Sequence, residues 1–242
     1  MGHAYHARMN TSPRVQYQQG DHICTLYSNR DEQMAAAVDY LRGGLSRGER
    51  CLYVCCEHTP DEFRDGLRQA GIDVDAEEAR GALLLLTKHD GHLKGGCFNP
   101  DEMINMLHQA VKDALDAGFA GLCAAGDMSW LLDEADGSER IAEYEARLNA
   151  FYPSSRALGL CLYNRNKLPA ATLDHSLATH PHVRVEGNIL LENPFYEPPD
   201  KAASRWSDGS ALQRKLEWLK NAIASLLIGD QAPEPVAIPF RR

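Results

Sequence analysis

The chain has 242 residues, 44% apolar and 24% charged, the balance of a globular protein with a sizeable buried core. Its formal net charge of −9 argues against a general binder of nucleic acid or anionic membranes, and no apolar run approaches the roughly 20 residues a membrane span requires. The opening MGHAYHARMNTSPR has neither the apolar core of an export signal nor a complete myristoylation motif, so the expected location is cytoplasmic.

Residues 1–19 are polar and aperiodic and read as a flexible tail. His22 to Tyr27 alternates as a first strand, and Asp31 to about Leu45 is a helix with Met34, Ala37, Val38 and Leu41 on one side. Cys51 to Cys56 is a short apolar run of the kind buried on both faces. Thr59, Pro60, Asp61 and Glu62 then supply an N-cap, a first-turn proline and dipole-matched acids, which start a helix running to Ala70. Asp75 to Ala79 reads as a short helix and Leu83 to Thr87 as a third strand. His89 to Cys97 is a glycine-rich stretch too long for a tight connection, a candidate lid.

The longest clear helix opens at Asn99-Pro100 and runs to about Ala117. Gly121 to Gly126 is a fourth strand, Ser138 to Phe151 a helix and Leu158 to Tyr163 a fifth strand. Leu168 to Ala178 is helical, and Val183 to Val185 with Asn188 to Leu191 forms a hairpin. The proline-rich Asn193 to Pro199 closes the domain. Residues 20–199 therefore form one domain, and residues 200–242 a linker, an amphipathic helix over Ser210 to Ile228 and a disordered tail. Strand and helix alternate throughout, which predicts an α/β fold: a three-layer α/β/α domain with a mostly parallel central sheet, plus the C-terminal helix.

The stretch GLSRGERCLYVCCEHTPDEF resembles the second-strand region of RecA-like ATPases of the circadian-clock type, where two glutamates activate the attacking water. Glu57 matches the first of them, and His58 stands in place of the second. A phosphate loop needs GxxxxGK[ST], whereas Leu26 to Gln33 offers neither glycine nor lysine and places Asp31 and Glu32 where phosphate would sit. ATP hydrolysis by the usual route is therefore excluded. GDHICTLY, the GLSRGE–LYV segment, GDMSWLL, LGLCLYNRNKLPAATL, THP and NPFYEPP, in that order, resemble the MEDS domain, the methanogen/methylotroph sensory domain of a dichloromethane-responsive regulator. That resemblance implies a RecA-like domain without a phosphate loop, sensing a small organic compound and passing the signal to an output module.

In such a sheet, ligands bind at the carboxyl ends of the strands. Tyr27, Glu57, His58, Asp127, Trp130 and Tyr163 are expected at that edge, with His22 on strand one as a further candidate. Phenols, carboxylates and an indole suit a small polar organic ligand.

His22 and Cys24 share one face of a strand, an H-x-C pair that would bind a soft metal if Cys123 or Cys161 joined it. A satisfied core histidine is the simpler reading, and no metal site is assigned. The seven cysteines include no CxxC pair, which rules out a disulfide scaffold, and no Cys/His pair shows an orienting third residue, so no enzyme activity is expected. The alternatives are a non-hydrolysing nucleotide-binding regulator and a metal- or thiol-based sensor using His22 and Cys24. The apolar stripe of the last helix (Leu212, Leu216, Leu219, Ile223, Leu226 and Leu227) must be covered, by its own domain, by a twin helix in a homodimer or by a separate output protein.

Overall fold

Strand alternation divides the core in two. In the computed structural model, which describes residues 16–185, 189–197 and 209–227, seven strands form one sheet in the order β3-β2-β4-β5-β1-β6-β7. They are β1 (His22–Tyr27), β2 (Arg50–Cys55), β3 (Leu83–Thr87), β4 (Leu122–Asp127), β5 (Ala157–Asn164), β6 (His182–Val185) and β7 (Ile189–Glu192). All neighbours pair in parallel except β6 and β7, an antiparallel hairpin in which His182 faces Glu192.

The helices are α1 (Arg30–Ser46), α2 (Pro60–Gln69), α3 (Val74–Ala79), α4 (Pro100–Asp116), α5 (Ile141–Phe151), α6 (Ala170–Thr179) and α7 (Gly209–Leu227). Ile23, Tyr27, Tyr53, Leu158 and Leu160 pack with α1 to α3 on one face. Cys24, Leu52, Ala124, Cys161 and Tyr163 pack with α4 to α7 on the other. This is the three-layer α/β/α arrangement with a mostly parallel sheet that the strand–helix alternation predicts.

The predicted Thr59 cap forms: Thr59 and Glu62 make a reciprocal capping box at the start of α2. Asn29 caps α1 in the same manner, accepting from the Glu32 amide. The helix expected over Ser138 to Phe151 begins as a 3-10 turn, Ser138–Arg140, before α5 proper, and a second 3-10 segment, Met128–Asp133, follows β4.

The amino-terminal boundary is earlier than the sequence suggests. Tyr17 is buried against Tyr40 and accepts from Arg184 Nε at 2.9 Å, and Gln19 donates to the Ala120 carbonyl at 3.0 Å. Polarity concealed this, because one anchoring aromatic among glutamines leaves no periodic pattern. The remainder of the expected tail, residues 1–15, lies outside the described residues, as do 186–188, 198–208 and 228–242.

α7 packs on α6 of its own chain. Trp218, Leu219 and Ala222 are buried there, the Trp218 ring meets Phe195 edge-on at 5.5 Å, and Lys215 Nζ reaches Asp174 at 2.5 Å with both side chains almost wholly buried. Leu216 and Ile223 are half-buried, and the side chains of Leu212, Leu226 and Leu227 lie outside the described residues.

Candidate functional site

β1, β2, β4 and β5 end side by side, and their last residues define a polar cluster on the α1 and α2 side. Tyr27 closes β1 and is buried. Its hydroxyl lies 2.8 Å from Ser129 Oγ, 3.1 Å from Glu57 Oε1 and 3.2 Å from Asp127 Oδ1. Asp127, fully buried at the end of β4, accepts from the Glu57 amide at 2.7 Å, the Ser129 amide at 3.0 Å and the Ser129 hydroxyl at 2.7 Å. Gln33 of α1 donates to its other side at 3.4 Å and also contacts the Tyr53 hydroxyl. Burial pushes the Asp127 carboxyl up from its ordinary value, against the opposing pull of those amide and hydroxyl donors.

Glu57 follows β2. Its Oε1 accepts from Asn164 Nδ2 at 2.6 Å and from the Ser129 hydroxyl at 3.1 Å, and lies 3.4 Å from the half-exposed Lys167 ammonium. Burial raises this carboxyl, but the Asn164, Tyr27 and Ser129 donors and the Lys167 charge outweigh it and hold Glu57 below the ordinary range. Its second oxygen, Oε2, is buried and makes no hydrogen bond.

His58 sits beside this cluster with both ring nitrogens engaged. Nδ1 accepts from the Arg30 guanidinium at 3.0 Å, so Nε2–H donates to the Arg30 carbonyl at 3.1 Å. It clips α1 to the β2–α2 corner. The start of α1 is closed by the chain's own carboxylate. Glu32 Oε2 accepts from the Ser28 amide at 2.7 Å, and Asn29 caps the Glu32 amide at 2.9 Å.

Two predicted members are elsewhere. Tyr163 pairs with Leu26 across the β1–β5 ladder, while Asn164 pairs with Tyr27, so alternation turns the Tyr163 ring to the opposite face and puts Asn164 in the strand-end cluster. Trp130 turns under the His89–Cys97 loop, stacking on His92 at 5.2 Å and meeting Phe98 at a tilt at 4.6 Å. Within that candidate lid, His92 and Leu93 are buried and anchor it.

Tyr163 instead belongs with His22 on the far face of the sheet. The Tyr163 hydroxyl donates to Glu145 Oε1 at 2.7 Å. Glu145 Oε2 faces His22 Nε2 at 3.3 Å and His180 Nε2 at 3.4 Å, and Cys161 Sγ lies 3.8 Å from His22 Nε2. Cys24, the predicted partner of His22, points its thiol to Ser176 Oγ at 3.7 Å. Burial tends to raise the Glu145 carboxyl, but His180, His22 and the Tyr163 hydroxyl outweigh it and hold it down to about 2. Burial and the neighbouring His22 push the His180 imidazole down to about 3.

Residues 21–181 match the family described as the MEthanogen/methylotroph, DcmR Sensory domain, MEDS. The chain belongs to the MEDS family. No curated protein sequence matches it. A similar solved structure is that of a KaiC-like protein from the hyperthermophilic archaeon Pyrococcus horikoshii, 13% identical with a TM-score of 0.49, the alignment covering 68% of this chain and 70% of that one. Among the described residues, no helix of this MEDS protein is long and apolar enough to cross a membrane.

Several residues of the two clusters were not singled out by sequence, though signals existed. Asp127-Met128-Ser129 has the spacing of an aspartate capping its own following turn. Glu145 lies four residues after Ile141 and three before Leu148, on the inward stripe of α5, where a carboxylate requires a partner.

Proposed function

We propose that this MEDS domain is a sensory or regulatory module that binds a small organic ligand at the strand-end crevice and does not hydrolyse nucleotide. The observation that carries this reading is Glu57. One oxygen is saturated by Asn164, Ser129 and Lys167, while the other is buried without a hydrogen-bond partner where four strand ends meet. A buried acceptor left open costs on the order of 1–3 kcal/mol, and a ligand bearing an N–H or O–H group recovers it. The ligand class is accordingly a small amine or alcohol, with Tyr27 and Asp127 fixing the wall behind Glu57. Glu32 at the start of α1 supports the absence of hydrolysis, because it places negative charge where a triphosphate would bind.

A thermal-shift screen of amines, alcohols, halogenated one-carbon compounds and Mg-ATP tests this, with calorimetry on each hit. An amine or alcohol that raises Tm in the parent and binds Glu57→Gln at least ~10-fold more weakly supports the reading, a loss of about 1.4 kcal/mol. Lys167→Ala should leave the unfolding free energy within about 1 kcal/mol of the parent, since the lysine is half exposed, and should alter ligand affinity through the charge it places on Glu57. Saturable Mg-ATP binding with phosphate release would overturn the proposal.

A further inference from the structure

The far-face cluster is not explained by the crevice, and its hydrogen bonding has an unusual polarity. Asn149 donates through Nδ2 to the Thr179 carbonyl at 2.6 Å, which leaves its Oδ1 facing His22 Nδ1 at 2.8 Å. His22 therefore carries a proton on Nδ1. His180 Nδ1 lies 2.6 Å from the Ser176 carbonyl, which can only accept, so His180 also carries its proton on Nδ1. Both Nε2 lone pairs then converge on Glu145 Oε2, itself an acceptor. Glu145 Oε2 and His180 Nε2 make no hydrogen bond, although both residues are fully buried. The Cys161 thiol, 3.8 Å from His22 Nε2, offers that nitrogen its S–H, but the lone pairs of Glu145 Oε2 and His180 Nε2 still meet in a dry space with no proton between them. A cation resolves that conflict.

We propose that His22, Glu145, Cys161 and His180 form a buried binding site for a divalent transition-metal ion of the zinc type. Their four donor atoms all lie within 4.8 Å of one another. Bonds of about 2.0–2.1 Å from nitrogen and oxygen and about 2.3 Å from sulfur span tetrahedral edges of about 3.3–3.6 Å. The observed separations of 3.3, 3.4 and 3.8 Å approach those edges before any ion draws the donors in.

The outer contacts are those of a ligating set. Each imidazole donates its far N–H to an oxygen, and Tyr163 orients the carboxylate. Charge closes as well. A dication with one carboxylate, one thiolate and two uncharged imidazoles is neutral overall, which suits a buried position. On binding, the Cys161 S–H bond breaks, sulfur keeps the electron pair as the thiolate, and the proton leaves to solvent. Four protein donors leave no open position, so the ion would tie β1, β5, α5 and the end of α6 together and would not catalyse.

The full chain, refolded from denaturant with Co²⁺ as the probe, tests the assignment. The expected result is one Co²⁺ per chain, the intense visible bands of a tetrahedral ion, a thiolate-to-cobalt charge-transfer band, and about one proton released per ion near pH 7. Cys161→Ser should abolish the charge-transfer band, whereas Cys24→Ser should leave it unchanged. Asn149→Ala, which frees the far nitrogen of His22, should weaken binding ~10–100-fold. Zn²⁺ added in excess should displace the cobalt. A parent chain that refolds without retaining Co²⁺ or Zn²⁺ would show that a proton alone bridges Glu145 and the imidazoles, and would overturn the proposal. A charge-transfer band that survives Cys161→Ser would overturn it equally.

Discussion

The sheet carries a polar cluster on each side, and they differ in how their acceptors are supplied. Around Asp127 and Glu57, donors are plentiful: two backbone amides, two hydroxyls, two carboxamides and a lysine surround two carboxylates. Around Glu145, acceptors face acceptors: Tyr163 donates to one carboxylate oxygen and the Cys161 thiol faces His22, while Glu145 Oε2 and His180 Nε2 have no donor. The first is a preformed wall that holds its own shape and leaves one buried oxygen, Glu57 Oε2, without a donor. The second lacks a positive centre. Burial alone does not distinguish them, since Asp127 and Glu145 are both inaccessible. What separates a structural polar network from a binding site is the direction of its hydrogen bonds.

The sharpest way to break the first cluster is Asp127→Ala. It strands the Glu57 and Ser129 amides and the Gln33 amide group in a space closed to water. At about 1–3 kcal/mol per orphaned buried donor, the expected loss is roughly 4 kcal/mol or more, read as a lower urea midpoint at unchanged slope. A loss below about 1 kcal/mol would mean that water enters the crevice freely, and the picture of a rigid wall would fail.

Much of this arrangement was legible in the sequence, for a physical reason. β2 and β5 are runs of apolar residues that only a doubly covered strand accommodates, and Tyr27, Glu57 and Asp127 each follow such a run directly. What could not be read was the face on which a side chain lies. A period of two means that a one-residue choice decides it, which is how Tyr163 came to be expected where Asn164 stands. Trp130 was misplaced because the turn after β4 is a 3-10 segment that swings the ring under a neighbouring loop. The Glu145 cluster joins β1, β5, α5 and α6, an arrangement that tertiary packing alone creates.

A second test separates the domain from its C-terminal helix. Cutting the chain after Asp200 removes Trp218, Leu219 and Ala222 from their seat beside Phe195 and leaves Asp174 without Lys215. The two large side chains alone contribute about 3–5 kcal/mol when buried, and the orphaned carboxylate adds to the loss. The truncated domain should melt earlier while keeping the parent's oligomeric state by light scattering. Unchanged stability together with a dimer-to-monomer shift would instead assign the helix to a twin copy, the homodimer arrangement that its stripe allows.

The smallest effect concerns His92, which anchors the His89–Cys97 loop on Trp130. Its Nδ1 has no hydrogen-bond partner, and burial pushes the imidazole down to about 4. In the unfolded chain a histidine takes up its proton near pH 6.5. The folded protein refuses that proton until about pH 4, so the unfolded state binds more protons throughout this window. Stability from this residue is therefore complete above about pH 6.5 and is lost as pH falls toward 4, at about 1.4 kcal/mol per pH unit. His92→Phe keeps an aromatic ring against Trp130 and removes the titration. Between about pH 7 and pH 5 the urea midpoint of the parent should fall relative to that of the variant, because only the parent loses stability by this titration. Curves that stay parallel would mean that the loop opens and hydrates His92 before the domain unfolds, which would return the segment to the role of a mobile lid.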